Sequence, residues 1–348
     1  MRGLEIPALL VTNRINRNYL SGFTGTDCIV LVTRTKAFFI TDFRYANQAK
    51  EQVIGCQIIE RPSSKTALQV AMELAVELRI HKLGFESDHI SYKEYLNLRK
   101  WGKNIILLPT QNLIENLRIK KDKHELTLIT KSSHIALSAF EFCLSKIRPG
   151  VSEKEIVLLF EEKARRLGAD SVAFDTIVAS GWRSTLPHGV ASNKKIKQGE
   201  LLVFDFGTVY KQYHSDCTRT FIIGKPTTKQ KEIYRITLDA QLATVDAIKP
   251  GISCKKVDSI ARNIITKAGY GDYFGHGLGH GVGMEIHEAP RLAQSDNHIL
   301  EPGMVVTVEP GIYIEGIGGV RIEDLVLVTR TGHRILTQFP KEFISLAG

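Results

Sequence analysis

Residues 148–169, RPGVSEKEIVLLFEEKARRLGA, and residues 249–270, KPGISCKKVDSIARNIITKAGY, are two copies of one pattern. Each opens on a basic residue, then Pro-Gly, an aliphatic residue and Ser. Ser152 and Ser253 stand where a helix N-cap belongs, and in the first copy Glu155, three residues on, completes a capping box. Each amphipathic stretch is stopped by a glycine, Gly168 or Gly269, and each is preceded by another long helical stretch. A repeat on this scale predicts two structurally equivalent halves.

The parallel runs on past the helices. After the first copy come His188-Gly189 and then GELLVFDFG; after the second come HGLGHGVG and PGMVVTVEPG. Aligning Gly199 with Gly303 sets Asp205 on Glu309, each near the end of an apolar strand. A further strand follows in each half, bearing Asp216 in SDCTRTFII and Glu323 in GVRIEDLVLV. A strand-end Asp is ordinarily a turn former, and a carboxylate buried alone is costly. Four of them in repeat register, with histidines nearby, call for a cation. An oxygen-rich site of this kind suits two divalent ions and metal-assisted hydrolysis, with Mn²⁺ favoured and Co²⁺, Zn²⁺ or Fe²⁺ left open. The glycines of GHGLGHGVG do not bridge a strand and a helix as a phosphate cradle requires. HExxH and GxSxG motifs are absent.

Around this core the chain reads as two domains, 1–115 and 116–348. In the first, CIVLVT and KAFFITD read as strands joined by a turn, and residues 63–78 and 92–101 have helical spacing. A long helix is expected over 123–147. At 348 residues, with 43% hydrophobic and 24% charged residues, the composition is that of a water-soluble globular protein. No apolar run approaches a membrane span, and the N-terminus does not read as a signal peptide. The five cysteines are scattered and form no CxxC pair, which favours a reducing, cytoplasmic setting without disulfides. The net charge of +9 is spread out. Its densest clusters, 118–123 and 194–197, read as solvated turns or helix starts rather than a nucleic-acid stripe. Neither nucleic acid nor membrane is therefore expected as a partner.

The motifs FDFG (204–207), SDCTRT (215–220), GHGLGHGVGMEIHE (275–288), VEPGIY (308–313) and GVRIED (319–324) together resemble the Xaa-Pro peptidases, aminopeptidase P and prolidase. NYLSGFTG and ITDFRY resemble the smaller non-catalytic domain of that family. The resemblance implies an α+β protein with a C-terminal pita-bread domain of pseudo-two-fold symmetry and a smaller N-terminal α/β domain of creatinase type. It implies Asp205, Asp216, His280, Glu309 and Glu323 as metal ligands, with Asp216 and Glu323 bridging. Glu309 is the implied proton acceptor, and His287 steadies the tetrahedral intermediate. His188 is the family's histidine from the first half, and His276 shapes the proline pocket. Arg321, two residues before Glu323, would share a strand face with it. Arg291 is a candidate for the proline carboxylate. The implied reaction is attack of a metal-bridging hydroxide on an Xaa-Pro bond, in peptides or dipeptides with proline second, by a homodimer.

Three other readings use the same fold: a methionine aminopeptidase-like enzyme, creatinase-like hydrolysis without metal, and an inactive binding module. The N-terminal domain argues against the first, the intact ligand positions against the second, and the absence of lost ligands or long tails against the third.

Overall fold

The computed structural model describes residues 6–346. The chain divides between Asn116 and Leu117 into two compact units.

The first unit is built on a six-stranded sheet. Its strands are β1 (Ala8–Val11), β2 (Cys28–Thr33), β3 (Ala37–Thr41), β4 (Gln57–Glu60), β5 (Lys82–Glu86) and β6 (Ile106–Thr110), in the order β4-β3-β2-β1-β5-β6. The central strands are apolar on both faces because both are covered. Leu10, Leu31 and Ile40 pack with α3 (Ala67–Glu77) and α4 (Tyr92–Trp101). Leu9, Val30 and Phe39 meet the residues around α1 (Arg14–Ser21) and α2 (Ala46–Gln52). Both expected strands and both expected helices are present. The one-turn helix α5 (Glu115–Arg118) follows.

The second unit carries the repeat. In its first half, α6 (Lys123–Leu144) and α7 (Glu153–Arg166) lead to β7 (Ser171–Val172), β8 (Ile177–Ser180), β9 (Leu201–Phe206), β10 (Thr208–Tyr210), β11 (Tyr213–His214) and β12 (Cys217–Ile223). In its second half, α8 (Thr228–Ala247) and α9 (Cys254–Lys267) lead to β13 (Gly279–Gly281), β14 (Glu288–Leu292), β15 (Val305–Val308), β16 (Gly311–Ile314), β17 (Gly318–Arg321), β18 (Asp324–Val328), β19 (His333–Ile335) and β20 (Ser345–Leu346). The sheets run β20-β12-β9-β8 and β14-β13-β15-β18-β19, so β8, β9 and β12 correspond to β13, β15 and β18.

The repeat holds at the level of single hydrogen bonds. Ser152 caps α7 in a full capping box with Glu155, and Ser253 caps α9. Ser152 bridges Lys195 as Ser253 bridges Ile299. The Glu153 amide donates to the Lys194 carbonyl, and the Cys254 amide to that of His298. Gly168 and Gly269 have φ of +99° and +86°, the left-handed turn that ends a helix without a Cβ penalty.

Strand periodicity then sorts the side chains. On β9, Leu202, Phe204 and Phe206 face the helices, where the Phe140 ring stacks on Phe206 at 4.3 Å. Asp205 lies on the opposite face. On β15, Val306 and Val308 enter the core of the second half, and Thr307 turns away from it. Two expectations fail here. Arg321 and Glu323 do not share a continuous strand: β17 ends at Arg321 and β18 begins at Asp324, with Glu323 in the break. Nor is 118–123 a solvated cluster. The Arg118 and Lys121 side chains are 2% and 1% exposed and pair with Glu288, which the positional pattern of a short basic run could not reveal.

Candidate metal centre

All ten site residues expected from the sequence line one cavity of about 880 Å³. Three form its tightest group. Asp216, His280 and Glu323 each offer one ligand atom, all within 4.8 Å of one another. Asp216 and Glu323 sit one residue before β12 and β18, the repeat-equivalent strands, which explains why they meet. Asp216 Oδ2 is 3.6 Å and Glu309 Oε1 3.5 Å from His280 Nε2.

The histidine is oriented for this. Its Nδ1 lies 3.1 Å from the Gly281 carbonyl, an acceptor only, so Nδ1 carries the proton and Nε2 turns a lone pair to the carboxylates. Burial and then His287 hold its pKa down to about 4, so the ring is neutral at physiological pH. Thr307 Oγ receives the His280 amide and donates to Glu309. Thr218 Oγ donates to Glu323 at 2.7 Å.

Electrostatically the cluster is short of positive charge. Burial, then Glu323, Asp205 and Glu309, pushes the Asp216 carboxyl far above its ordinary range. Burial, then Glu309 and Asp205, does the same to Glu323. Burial raises Glu309 to about 7, against the opposing charge of Arg321. Asp205 shares an ion pair with Arg321 at 2.6 Å through Oδ2, but its buried Oδ1 has no hydrogen-bond partner. A divalent cation fits such a set: it supplies the missing charge and a partner for the orphaned oxygen, and the donors are hard oxygens with one imidazole.

The surrounding wall is polar and bonded. Arg321, 3% exposed, donates to Asp205, Thr218, Tyr313 and the Pro187 carbonyl. Burial works against its charge, yet Tyr313 and the carboxylates hold it fully protonated. His276 donates from Nδ1 to the Gly277 carbonyl and accepts at Nε2 from the Tyr313 hydroxyl, 3.0 Å away. Burial lowers its pKa to about 4. The His287 ring meets His280 edge-on at 4.3 Å, and burial lowers its pKa too. His188 and Arg291 are exposed at the cavity wall. Cys217 is a buried thiol, its pKa pushed up by burial.

Thr218, Thr307 and Tyr313 escaped the sequence reading. A signal existed for the threonines: each lies two residues from an acidic site residue, on the same side of an extended chain.

Two family descriptions match the sequence, "Metallopeptidase family M24" over residues 127–330 and "Creatinase/Prolidase N-terminal domain" over 1–120. The chain belongs to metallopeptidase family M24, among the Xaa-Pro peptidases. It is 41% identical over 342 residues to an Xaa-Pro dipeptidase of Pyrococcus horikoshii, covering 98% of this chain and 95% of that one. Among solved structures, an Xaa-Pro dipeptidase from Bacillus anthracis superposes with a TM-score of 0.96 at 48% identity, covering 99% and 96% of the two chains. An X-Pro aminopeptidase from Thermotoga maritima superposes with a TM-score of 0.93 at 37% identity, covering 99% of each. The fold is thus the pita-bread metallopeptidase domain with a creatinase-type N-terminal domain, and the protein is a metallo-exopeptidase.

Proposed function

We propose that this chain cleaves the bond between an N-terminal residue and a following proline, acting on dipeptides. The observation that carries the proposal is the buried meeting of four carboxylates and His280 in one cavity, short of positive charge, in a member of this family. Asp205, Asp216, His280, Glu309 and Glu323 would hold two divalent ions. Mn²⁺ is the proposed metal because four of the five donors are carboxylates. Bound there, the ions would supply Lewis-acid polarisation of the scissile carbonyl and a water acidic enough to attack near pH 7.

The chain's own residues do the rest. Glu309, beside the other carboxylates and His280, would take a proton at its carboxylate and deliver it to the proline nitrogen. His287 would donate an N–H to the oxyanion. His188 faces the same space from the first half and orients the substrate carbonyl. His276, its Nε2 engaged by Tyr313, presents a fixed ring to the proline side chain, and Arg321 fixes Asp205 and Tyr313. A proline peptide bond has no N–H to grip, so recognition by ring shape is the available route. Arg291 meets the free carboxylate of the dipeptide, which is the support for dipeptides over longer chains, together with the dipeptidase names of the relatives. A homodimer in the cytoplasm completes the reading. Five unpaired cysteines support the compartment, and no helix among the described residues is long and apolar enough to cross a membrane.

The test is hydrolysis of Ala-Pro and of Ala-Pro-Ala with Mn²⁺, with metal content measured on the same preparation. Cleavage of Ala-Pro alone is expected. Cleavage of the tripeptide as well would make the enzyme an aminopeptidase. Cleavage of neither by folded, metal-loaded protein would remove the proposal.

A further inference from the structure

His188 sits on a loop that the hydrophobic effect does not hold. The loop runs from Gly181 to Ser192, and its large apolar side chains point outward: Trp182 is 63% exposed, Leu186 41% and Val190 51%. On one side it is tied to the second half of the repeat. Ser184 Oγ receives the Gly319 amide, and the Pro187 carbonyl receives Arg321. On the other side stands Glu153, at the first position of α7 and wholly buried.

Glu153 closes the loop at both ends. Its Oε1 accepts from the Ser180 amide at 2.8 Å and the Ser180 hydroxyl at 2.9 Å. Its Oε2 accepts from the Ser192 amide at 3.1 Å, the Ser192 hydroxyl at 2.8 Å and Arg183 Nε at 2.9 Å. Arg183 in turn donates to the Val190 carbonyl, two residues past His188. A fully desolvated carboxylate with five donors is a stiff joint, because losing any one of them leaves a buried polar group unmet. Among the described residues, Glu153, Ser180, Arg183 and Ser192 make no hydrogen bond to the carboxylate cluster.

The second half uses the same device. Asp258 on α9, wholly buried, pairs with Arg262 and accepts the Leu278 amide. Arg262 donates to the Phe274 and His276 carbonyls. A buried carboxylate–arginine pair therefore grips the backbone beside a cavity histidine twice, once in each half. The two carboxylates are not at equivalent positions: against the capping serines, Glu153 aligns with Cys254 and Asp258 with Val157. The device recurs although the positions differ, which points to a shared requirement.

We infer that Glu153 is a positioning residue for His188, fixing the 181–192 loop against the cavity; the inference rests on the proposed peptidase reading for its kinetic consequence. The test has two readouts, hydrogen–deuterium exchange of the 181–192 segment and steady-state hydrolysis of Ala-Pro, applied to Glu153→Gln and to the milder Ser192→Ala. Glu155→Gln, an exposed capping position on the same helix, serves as the control. Exchange in the loop is expected to rise about tenfold in both test variants, with bound metal per chain unchanged, and not in the control. The kcat should fall by about ten- to a hundredfold in Glu153→Gln. Combined with His188→Ala, Glu153→Gln should add nothing beyond about twofold, because both act through one imidazole. Unchanged loop exchange would overturn the inference whether or not Ala-Pro is cleaved. Losses that multiply in the double variant would overturn it too. Absence of cleavage by the parent protein would count against the peptidase reading alone, since the exchange readout still decides the tether.

Discussion

Glu323 and Asp324 are neighbours in the chain, both buried, and opposite in character. The Glu323 carboxyl is driven upward by burial and by Glu309 and Asp205. Asp324 suffers the same burial, yet Arg219 and Lys341 overcome it and hold the carboxyl below its ordinary range. Arg219 bonds Asp324 at 2.8 Å and also donates to the carbonyls of Glu323, Thr337, Phe339 and Pro340. Lys341 and Gln241 take the other oxygen of Asp324. One carboxylate comes with its cations built into the protein and serves to anchor the C-terminal segment. The other has no ion-pair partner, the Arg321 charge acting on it being outweighed by burial and its acid neighbours, and belongs to the proposed metal site. Burial alone does not mark a functional acid; burial without a resident positive charge does.

The largest expected effect tests that division directly. Asp216→Asn or Glu323→Gln should lower kcat/KM for Ala-Pro by more than about a thousandfold and reduce bound metal per chain, measured by elemental analysis. Unaltered metal binding would show that the cluster is not the metal site.

Next comes the neighbouring network. Arg219→Met leaves several carbonyls unmet in the interior and removes the buried charge paired with Asp324, and should cost about 3–5 kcal/mol of stability in denaturant titration. Its folded form should still bind metal, because Arg219 donates to the Glu323 carbonyl and not to its carboxylate. A variant as stable as the parent would show that the network is not structural.

How much of this contrast could be read from residues alone depends on distance along the chain. The capping serines, the helix-ending glycines and the four acids in repeat register are local patterns at fixed spacing, and the repeat itself says they converge. What Asp324 does is not local: its partners come from 83 positions upstream at Gln241, 105 upstream at Arg219, and 13 and 17 downstream at Thr337 and Lys341. The same is true of Arg118 and Lys121, whose partner Glu288 is more than 160 residues away. A basic run in a polar stretch reads as solvent-facing until the fold supplies its acids. The break between Arg321 and Glu323 was hidden for another reason. GVRIEDLVLV alternates well enough for one strand, and only the pairing of β17 with β16, and of β18 with β15, shows two.

The third prediction concerns pH in the presence of a chelator. A carboxyl whose folded pKa is raised stabilises the fold fully below its unfolded value and loses that contribution as pH rises through the folded one. For Glu309 the window is from 4.5 to about 7, and Asp216 and Glu323 act in the same direction. His276 and His280, lowered from 6.5 to about 4, act oppositely, and their contribution is lost as pH falls through that range. Above pH 6.5 the unfolded histidines lose only their remaining half of a proton each, a smaller effect than three raised carboxyls still ionising, so the carboxylates decide and the chelated protein should melt at lower temperature at pH 8 than at pH 6.5. Glu323→Gln should flatten that slope, and Mn²⁺ should reverse it in the parent. A parent melting curve that is flat or rising over this interval with chelator present would contradict the charge shortage.

The smallest effect sharpens the comparison from the other side. Lys341 is one of four side chains that hold Asp324, with Arg219, Gln241 and Thr337, and it is partly exposed. Lys341→Met should therefore cost only about 1 kcal/mol, since Arg219 and Gln241 remain to satisfy the carboxylate. The same substitution should leave the chelator-dependent slope above pH 6.5 unchanged, because the main influences on Glu323, Glu309 and Asp216 are burial, their acid neighbours and Arg321. If that slope changed with Lys341→Met, the two adjacent carboxylates would share one electrostatic environment, and the boundary between anchor and metal site would not lie between residues 323 and 324.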